Sequence, residues 1–163
     1  MIDVIDNFLP EMYLRRLQNT LLSENFPWYF IQYKTDATEI HDLNKFQFSH
    51  TFCNRLTVNN SMEIVKPFID MIEPVAIYRV KANLQPITES HHTSLYHVDG
   101  PTNNMTSSIF YLNTNNGYTL FRDGTKIESI ENRFVTFDAS LEHCATTCTD
   151  TKCRVVINFN YFK

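Results

Sequence analysis

The sequence predicts a mainly β protein, an antiparallel sandwich or barrel with helices packed on one side. Three observations carry this reading. From residue 75 onward, seven or eight short runs rich in β-branched and aromatic residues follow one another, separated by turn signals such as "NTNNG", "RDG" and "CTDTKC". Two stretches with helical character precede them. The last run, "RVVINFNYF", alternates as a strand does: Val155, Ile157, Phe159 and Tyr161 on one face, Arg154, Val156, Asn158 and Asn160 on the other.

Taken in order, "IDVIDNFL" reads as a first strand. A helix opens near Pro10 and carries Leu14, Leu17, Leu21 and Leu22 at helical spacing. "PWYFIQY" and "KFQFSHTFC" read as strands. "NSMEIVKPFIDMIEP" reads as a second helix, with Pro67 at a kink or near its start. "VAIYRVKANL" is a long strand. "SLYHVD", "SSIFYLN", "GYTLF", "TKIESI", "RFVTF", "EHCATTC" and "CRVVINFNYF" follow as shorter ones. The 163 residues fit one domain, with a mixed part over 1–74 and a β core over 75–163.

Composition narrows the function classes. The net charge is -4 with no basic block, which disfavours nucleic acid as a partner. No apolar run approaches the length of a membrane span, and the start "MIDVIDNFLPEM" is acidic where a secretory signal is basic. The expected location is the cytoplasm. The four cysteines are then read as reduced.

The polar face of the last strand needs a reason. An arginine on an inner wall needs a counter-charge, because a buried guanidinium without one is costly. In "IFYLN" the same split recurs: Ile109, Tyr111 and Asn113 share one face, with Phe110 and Leu112 opposite. A polar inner wall in a small barrel implies a polar ligand. The stretch "SLYHVDGPTNN" supplies candidate ligands of a metal. Side chains two apart in a strand share a face, so His97 and Asp99 can reach one point. His143, in "SLEHCATT", is a candidate third ligand, and Arg154 follows it by eleven residues. Two histidines and one carboxylate bind one face of an Fe(II) ion and leave three positions open. A 2-oxo acid can fill two and dioxygen the third. The far carboxylate of the oxo acid suits the planar fork of an arginine.

With these residues in view, the sequence resembles the Fe(II)- and 2-oxoglutarate-dependent dioxygenases, in particular the prolyl 4-hydroxylase-like branch with its small phage and bacterial members. The resemblance covers roughly residues 75 to 163 and rests on "YHVDGP", "IFYLN", "NNGYTLF", "RFVTFDASLEHC" and "TKCRVVINF" in that order. It implies a double-stranded β-helix. It also implies hydroxylation of a C–H bond coupled to decarboxylation of 2-oxoglutarate to succinate and carbon dioxide, with O2 as oxidant. The family's iron ligands fall on His97, Asp99 and His143, and its carboxylate-binding residue on Arg154. Its helper tyrosine falls on Tyr111. The inner-wall position four after the arginine falls on Asn158, facing the metal-bound end of the co-substrate. Two departures stand out. A tyrosine common upstream in relatives is replaced by Gln85 or Asn83, and the "GGxT" turn appears as "NGYT". The implied substrate is a peptidyl proline or another protein side chain, with small molecules also accepted by this fold.

Other residues have plainer readings. His91 and His92 are loop residues, or part of a lid facing the substrate. His41 and His50 are ordinary loop and strand residues. Arg79 and Arg122 read as solvated or surface-paired, Trp28 and Tyr96 as packing residues. Cys144, Cys148 and Cys153 beside His143 support a rival zinc site, although no Cys-x-x-Cys pair occurs. Cys148 and Cys153 would face each other across a hairpin built on "TDTK". A non-catalytic cupin-like binding module is the other alternative.

Overall fold

The computed structural model describes residues 1–32, 46–100 and 104–163. The expectations for Tyr33, His41, Lys45 and Pro101 lie outside the described residues. Within them the chain forms β1 (Ile2–Ile5), α1 (Glu11–Leu21), β2 (Tyr29–Ile31), β3 (Gln47–Asn54), β4 (Thr57–Val58), a 3-10 turn (Asn60–Ile64), α2 (Lys66–Ile72), β5 (Ala76–Pro86), β6 (Thr106–Tyr111), β7 (Tyr118–Phe121), β8 (Lys126–Glu128), β9 (Arg133–Asp138), β10 (His143–Ala145) and β11 (Cys153–Phe162).

α1 begins directly after Pro10, whose fixed φ suits a helix entry and whose missing N–H is not needed there. Leu14, Leu17 and Leu21 are buried, whereas Leu22 is the C-cap residue and stays exposed because the helical spacing ends before it. The second helix is divided. A 3-10 turn starts at Asn59, whose Oδ1 accepts from Ser61 N at 3.0 Å, and α2 follows with Pro67 in its first turn. Pro67 lacks the N–H that an interior position would donate, so the helix proper starts around it.

The strands build a large antiparallel sheet in the order β1-β9-β6-β11-β5-β3-β2, with β4 on β3, and a small sheet in the order β10-β7-β8. The two stacked sheets form a double-stranded β-helix. "SLYHVD" is not a regular strand. It joins the edge of the small sheet at two bridges, Thr93 to Thr146 and His97 to His143. Between them the Ser94 hydroxyl accepts from Ala145 N at 3.0 Å, replacing a ladder bond. The expected hairpin at "TDTK" is also absent. β10 pairs with β7, while β11 pairs with β5 and β6, so residues 146–152 cross from one sheet to the other.

Alternation along β11 divides the interior. Val155, Ile157, Phe159 and Tyr161 join Phe110, Leu112, Leu14, Leu17, Leu21 and Phe68 in a core between the large sheet and the helices. Phe68 is its centre, with ring centroids 4.7 Å from Phe110 and 4.8 Å from Phe159. Val156 faces the other way, into a smaller core between the sheets with Ile109, Tyr111, Phe121, Val135 and Phe137. The helices thus cover one face of the large sheet and leave the inter-sheet space free for a site.

Asn132 ties the N-terminal segment to the β core. It sits at φ 61°, where asparagine is better tolerated than most residues, and its amide bonds both Leu9 N (2.8 Å) and Leu9 O (2.9 Å). Asn132→Ala removes both buried bonds and keeps the strained φ. It is expected to cost about 2–4 kcal/mol in denaturant unfolding.

Candidate active site

One cavity, of about 290 Å³, opens between the sheets. Its walls come from alternate residues of β5 (Arg79, Lys81, Asn83, Gln85) and β11 (Arg154, Val156, Asn158), with His97, Asp99 and His143 on the side of the small sheet. Register places Gln85 opposite Arg154, Lys81 opposite Asn158 and Arg79 opposite Asn160.

His97, Asp99 and His143 offer ligand atoms that all lie within 4.8 Å of one another. Among the described residues this is the set that could hold a metal ion. The bridge between His97 and His143 fixes the two histidines, whose rings lie 4.6 Å apart. Each Nδ1 meets a backbone carbonyl two residues earlier, Leu95 O at 3.2 Å and Leu141 O at 3.0 Å. Donation from Nδ1–H leaves each Nε2 as a lone pair directed elsewhere. Nε2 of His143 stands 3.7 Å from Oδ2 of Asp99, and that buried oxygen has no hydrogen-bond partner among the described residues. Two electron-pair donors facing each other inside a protein fit a shared cation. Burial, then the neighbouring His143, pushes His97 below its ordinary pKa of 6.5, although Asp99 opposes this. The neutral, ligating form is therefore favoured.

Arg154 lies at the other end of the cavity and is buried to 2% exposure. Its Nε donates to Ser129 Oγ at 2.9 Å and its Nη2 to Thr119 Oγ1 at 3.2 Å, both neutral acceptors. Desolvation weighs against its charged form. Among the described residues no carboxylate pairs with Arg154, which fits a carboxylate brought by a ligand. Gly117 of the "NGYT" turn is required here: a Cβ would lie 2.7 Å from Arg154 Cδ and 2.9 Å from Thr146 O.

Tyr111 stands behind this end. Its hydroxyl donates to Thr119 Oγ1 at 2.8 Å, its ring lies 5.5 Å from the guanidinium carbon of Arg154, and it is absent from the cavity lining. Thr119, which lines the cavity, accepts from both Tyr111 and Arg154 and keeps its own proton to donate. Sequence reasoning passed over Thr119, although it lies in the "NGYT" turn. Asn83 and Gln85 both line the cavity, as does Asn158, and each has a buried side-chain oxygen without a partner. All four orphaned oxygens of the described residues, Asp99 Oδ2 included, belong to this one cavity.

Arg79 does not face solvent as expected. It reaches inward, donating to Asn160 Oδ1 at 2.9 Å and pairing with Asp99 Oδ1 at 3.3 Å. Arg122 stays at the surface, paired with Glu142 and 4.2 Å over the Tyr96 ring. His91 bonds Thr147 O in the loop before the bridges, and His50 is held by Pro27 O and Ser61 Oγ. The cysteines do not join His143 in a ligand cluster. Cys148 Sγ bonds Thr151 O, and none of the four thiols is in a disulfide.

No family model and no curated protein matches the sequence. Solved structures do match. A prolyl hydroxylase from Trichoplax adhaerens, in complex with a hypoxia-inducible-factor oxygen-degradation-domain peptide, superposes with a TM-score of 0.70 at 13% identity, covering 99% of this chain and 83% of that one. A 2OG-Fe(II) oxygenase family oxidoreductase from Burkholderia pseudomallei gives 0.70 at 14%, covering 99% and 85%. The non-heme α-ketoglutarate-dependent epimerase SnoN from nogalamycin biosynthesis gives 0.68 at 10%, covering 99% and 77%. The fold is therefore the one these oxygenases share. Among the described residues, no helix is long and apolar enough to cross a membrane.

Proposed function

We propose that this protein is an Fe(II)- and 2-oxoglutarate-dependent oxygenase that hydroxylates a C–H bond while 2-oxoglutarate is decarboxylated to succinate and carbon dioxide. The observation that carries the reading is the pairing of two complementary sites in one cavity. One is a His-Asp-His cluster with its donor atoms turned inward, the other a buried arginine without a counter-charge. His97, Asp99 and His143 hold the metal, and their backbone-anchored rings fix its position. Arg154 holds the far carboxylate of 2-oxoglutarate, with Thr119 adding a hydroxyl and Tyr111 orienting Thr119 from behind. Asn158, Asn83 and Gln85 line the path between, each able to present amide oxygen or nitrogen. Fe(II) bound there would supply the activation of dioxygen. The residues around it orient the substrate and keep water out. A peptidyl prolyl or other protein side chain is the proposed substrate, by analogy with the peptide-bound Trichoplax enzyme.

Anaerobic titration with Fe(II) and 2-oxoglutarate tests this directly. The weak visible charge-transfer band of the chelate is expected in the wild type and absent from His97→Ala. A folded wild type without the band returns the protein to a binding module or a zinc site. Metal affinity should also respond to pH. Protons compete for the His97 lone pair only below its depressed pKa. Affinity is therefore expected to stay level down to about pH 6.5 and fall under it. An affinity already falling between pH 8 and about 7 would show a histidine with a raised pKa instead.

A further inference from the structure

Two cations line the cavity beyond the groups that metal and co-substrate would use. Arg79 and Lys81 sit two apart on β5 and point to the same side, each into the cavity. Arg79 is partly satisfied by Asp99 and Asn160. The Lys81 ammonium makes no hydrogen bond or ion pair with any described residue; burial and then the nearby Arg79 weigh against its charge, and the attraction of Asp99 only partly opposes them. Among the described residues lining the cavity there are three basic side chains, Arg79, Lys81 and Arg154, against one carboxylate, Asp99. The cavity thus carries two surplus positive charges inside a chain whose net charge is -4. Loading does not remove that surplus, because a divalent metal ion and a doubly charged oxo acid cancel. Arg154 is then matched by the far carboxylate, and Lys81, four residues along β5 from Gln85, remains unmatched. Four residues of strand separate the two positions by roughly 13 Å along the backbone, more than one short dicarboxylate can span.

We propose that Lys81, with Arg79, forms an anion subsite for the substrate, and that the substrate carries a carboxylate close to the carbon that is oxidised. The inference rests on the oxygenase reading and, among its candidate substrates, favours an acidic group over the prolyl side chain. The cavity of about 290 Å³ also takes the metal and co-substrate, so the space left suits a compact acid or one acidic side chain reaching in.

The test uses the full chain loaded anaerobically with Fe(II) and 2-oxoglutarate. The probes are N-acetyl-aspartate amide and N-acetyl-glutamate amide, their neutral asparagine and glutamine counterparts, and free aspartate and glutamate. Binding is read by NMR chemical-shift titration and by perturbation of the charge-transfer band. At least one acidic probe should bind about tenfold or more tighter than its neutral isostere. Lys81→Met should erase that preference, Lys81→Arg should keep it, and both should leave 2-oxoglutarate affinity within about twofold. A capped probe binding better than its free amino acid points to a peptide-borne carboxylate, the reverse to a small free acid, and both support the subsite. Equal binding of acid and amide, no binding of any probe, or a preference that survives in Lys81→Met overturns it. So does a Lys81→Met variant that loses 2-oxoglutarate as Arg154→Ala would. If the chelate band itself never forms, the oxygenase reading fails separately. The same titration on metal-free protein still reads the subsite, as the part of the acid preference that Lys81→Met removes.

Discussion

Arg154→Ala is expected to weaken 2-oxoglutarate binding by roughly 100-fold or more, about 3 kcal/mol or above, measured by anaerobic titration of the chelate band. The size follows from burial. At 2% exposure the guanidinium has exchanged water for two neutral hydroxyls, so an arriving carboxylate meets a desolvated, preoriented fork. Stability should move the other way. Among the described residues this buried charge has no counter-ion, and replacing such a charge by an apolar chain of similar volume is often neutral or stabilising. Arg154→Met should therefore hold or raise the melting temperature of the free protein and abolish the rise that 2-oxoglutarate gives the wild type. Unchanged affinity in Arg154→Ala would remove the residue from the co-substrate site. A large loss of stability in Arg154→Met would make the arginine structural.

His143→Ala and Asp99→Ala should each abolish turnover and lower metal affinity by more than about 100-fold, since even partners outside the ligand set are worth 10- to 100-fold. Both positions are buried, and His143 packs between the rings of Phe121 and Phe137, so His143→Ala also opens a cavity. Asp99→Asn separates the effects. It keeps the shape and removes the charge, and should lose metal while the protein stays folded. Calorimetric titration with Mn(II) reads this without turnover. Metal affinity in Asp99→Asn equal to that of the wild type would take the carboxylate out of the cluster.

Much of this was legible because strand alternation is a strong geometric rule. It divided β11 into a core face and a cavity face and separated Phe110 and Leu112 from Ile109 and Tyr111. It also brought His97 and Asp99 together, although the stretch holding them turned out to be a bridged edge rather than a strand. What stayed hidden concerns which faces are covered. Arg79, Lys81, Asn83 and Gln85 form a polar row of period two, and a solvated edge writes the same row as a cavity wall. Only the small sheet lying over them decides between the two. The pairing of β11 was hidden for a similar reason: "CTDTKC" has the chemistry of a hairpin turn, but strand partners are chosen by long-range packing that local turn chemistry does not record. Thr119 was missed because its role comes from Tyr111 and Arg154, residues distant along the chain or on other strands.

The division of labour along β11 has a consequence for how the protein can change. Its odd-numbered residues from 155 to 161 belong to the helix-side core, where volume is constrained, whereas Val156 and Asn158 line the cavity, Val156 at the edge of the smaller inter-sheet core, and face Asn83 and Lys81 across one pair of strands. Mutational drift or directed evolution can therefore rewrite the chamber's selectivity at a few positions of β5 and β11 while the packing that holds the barrel together is inherited intact.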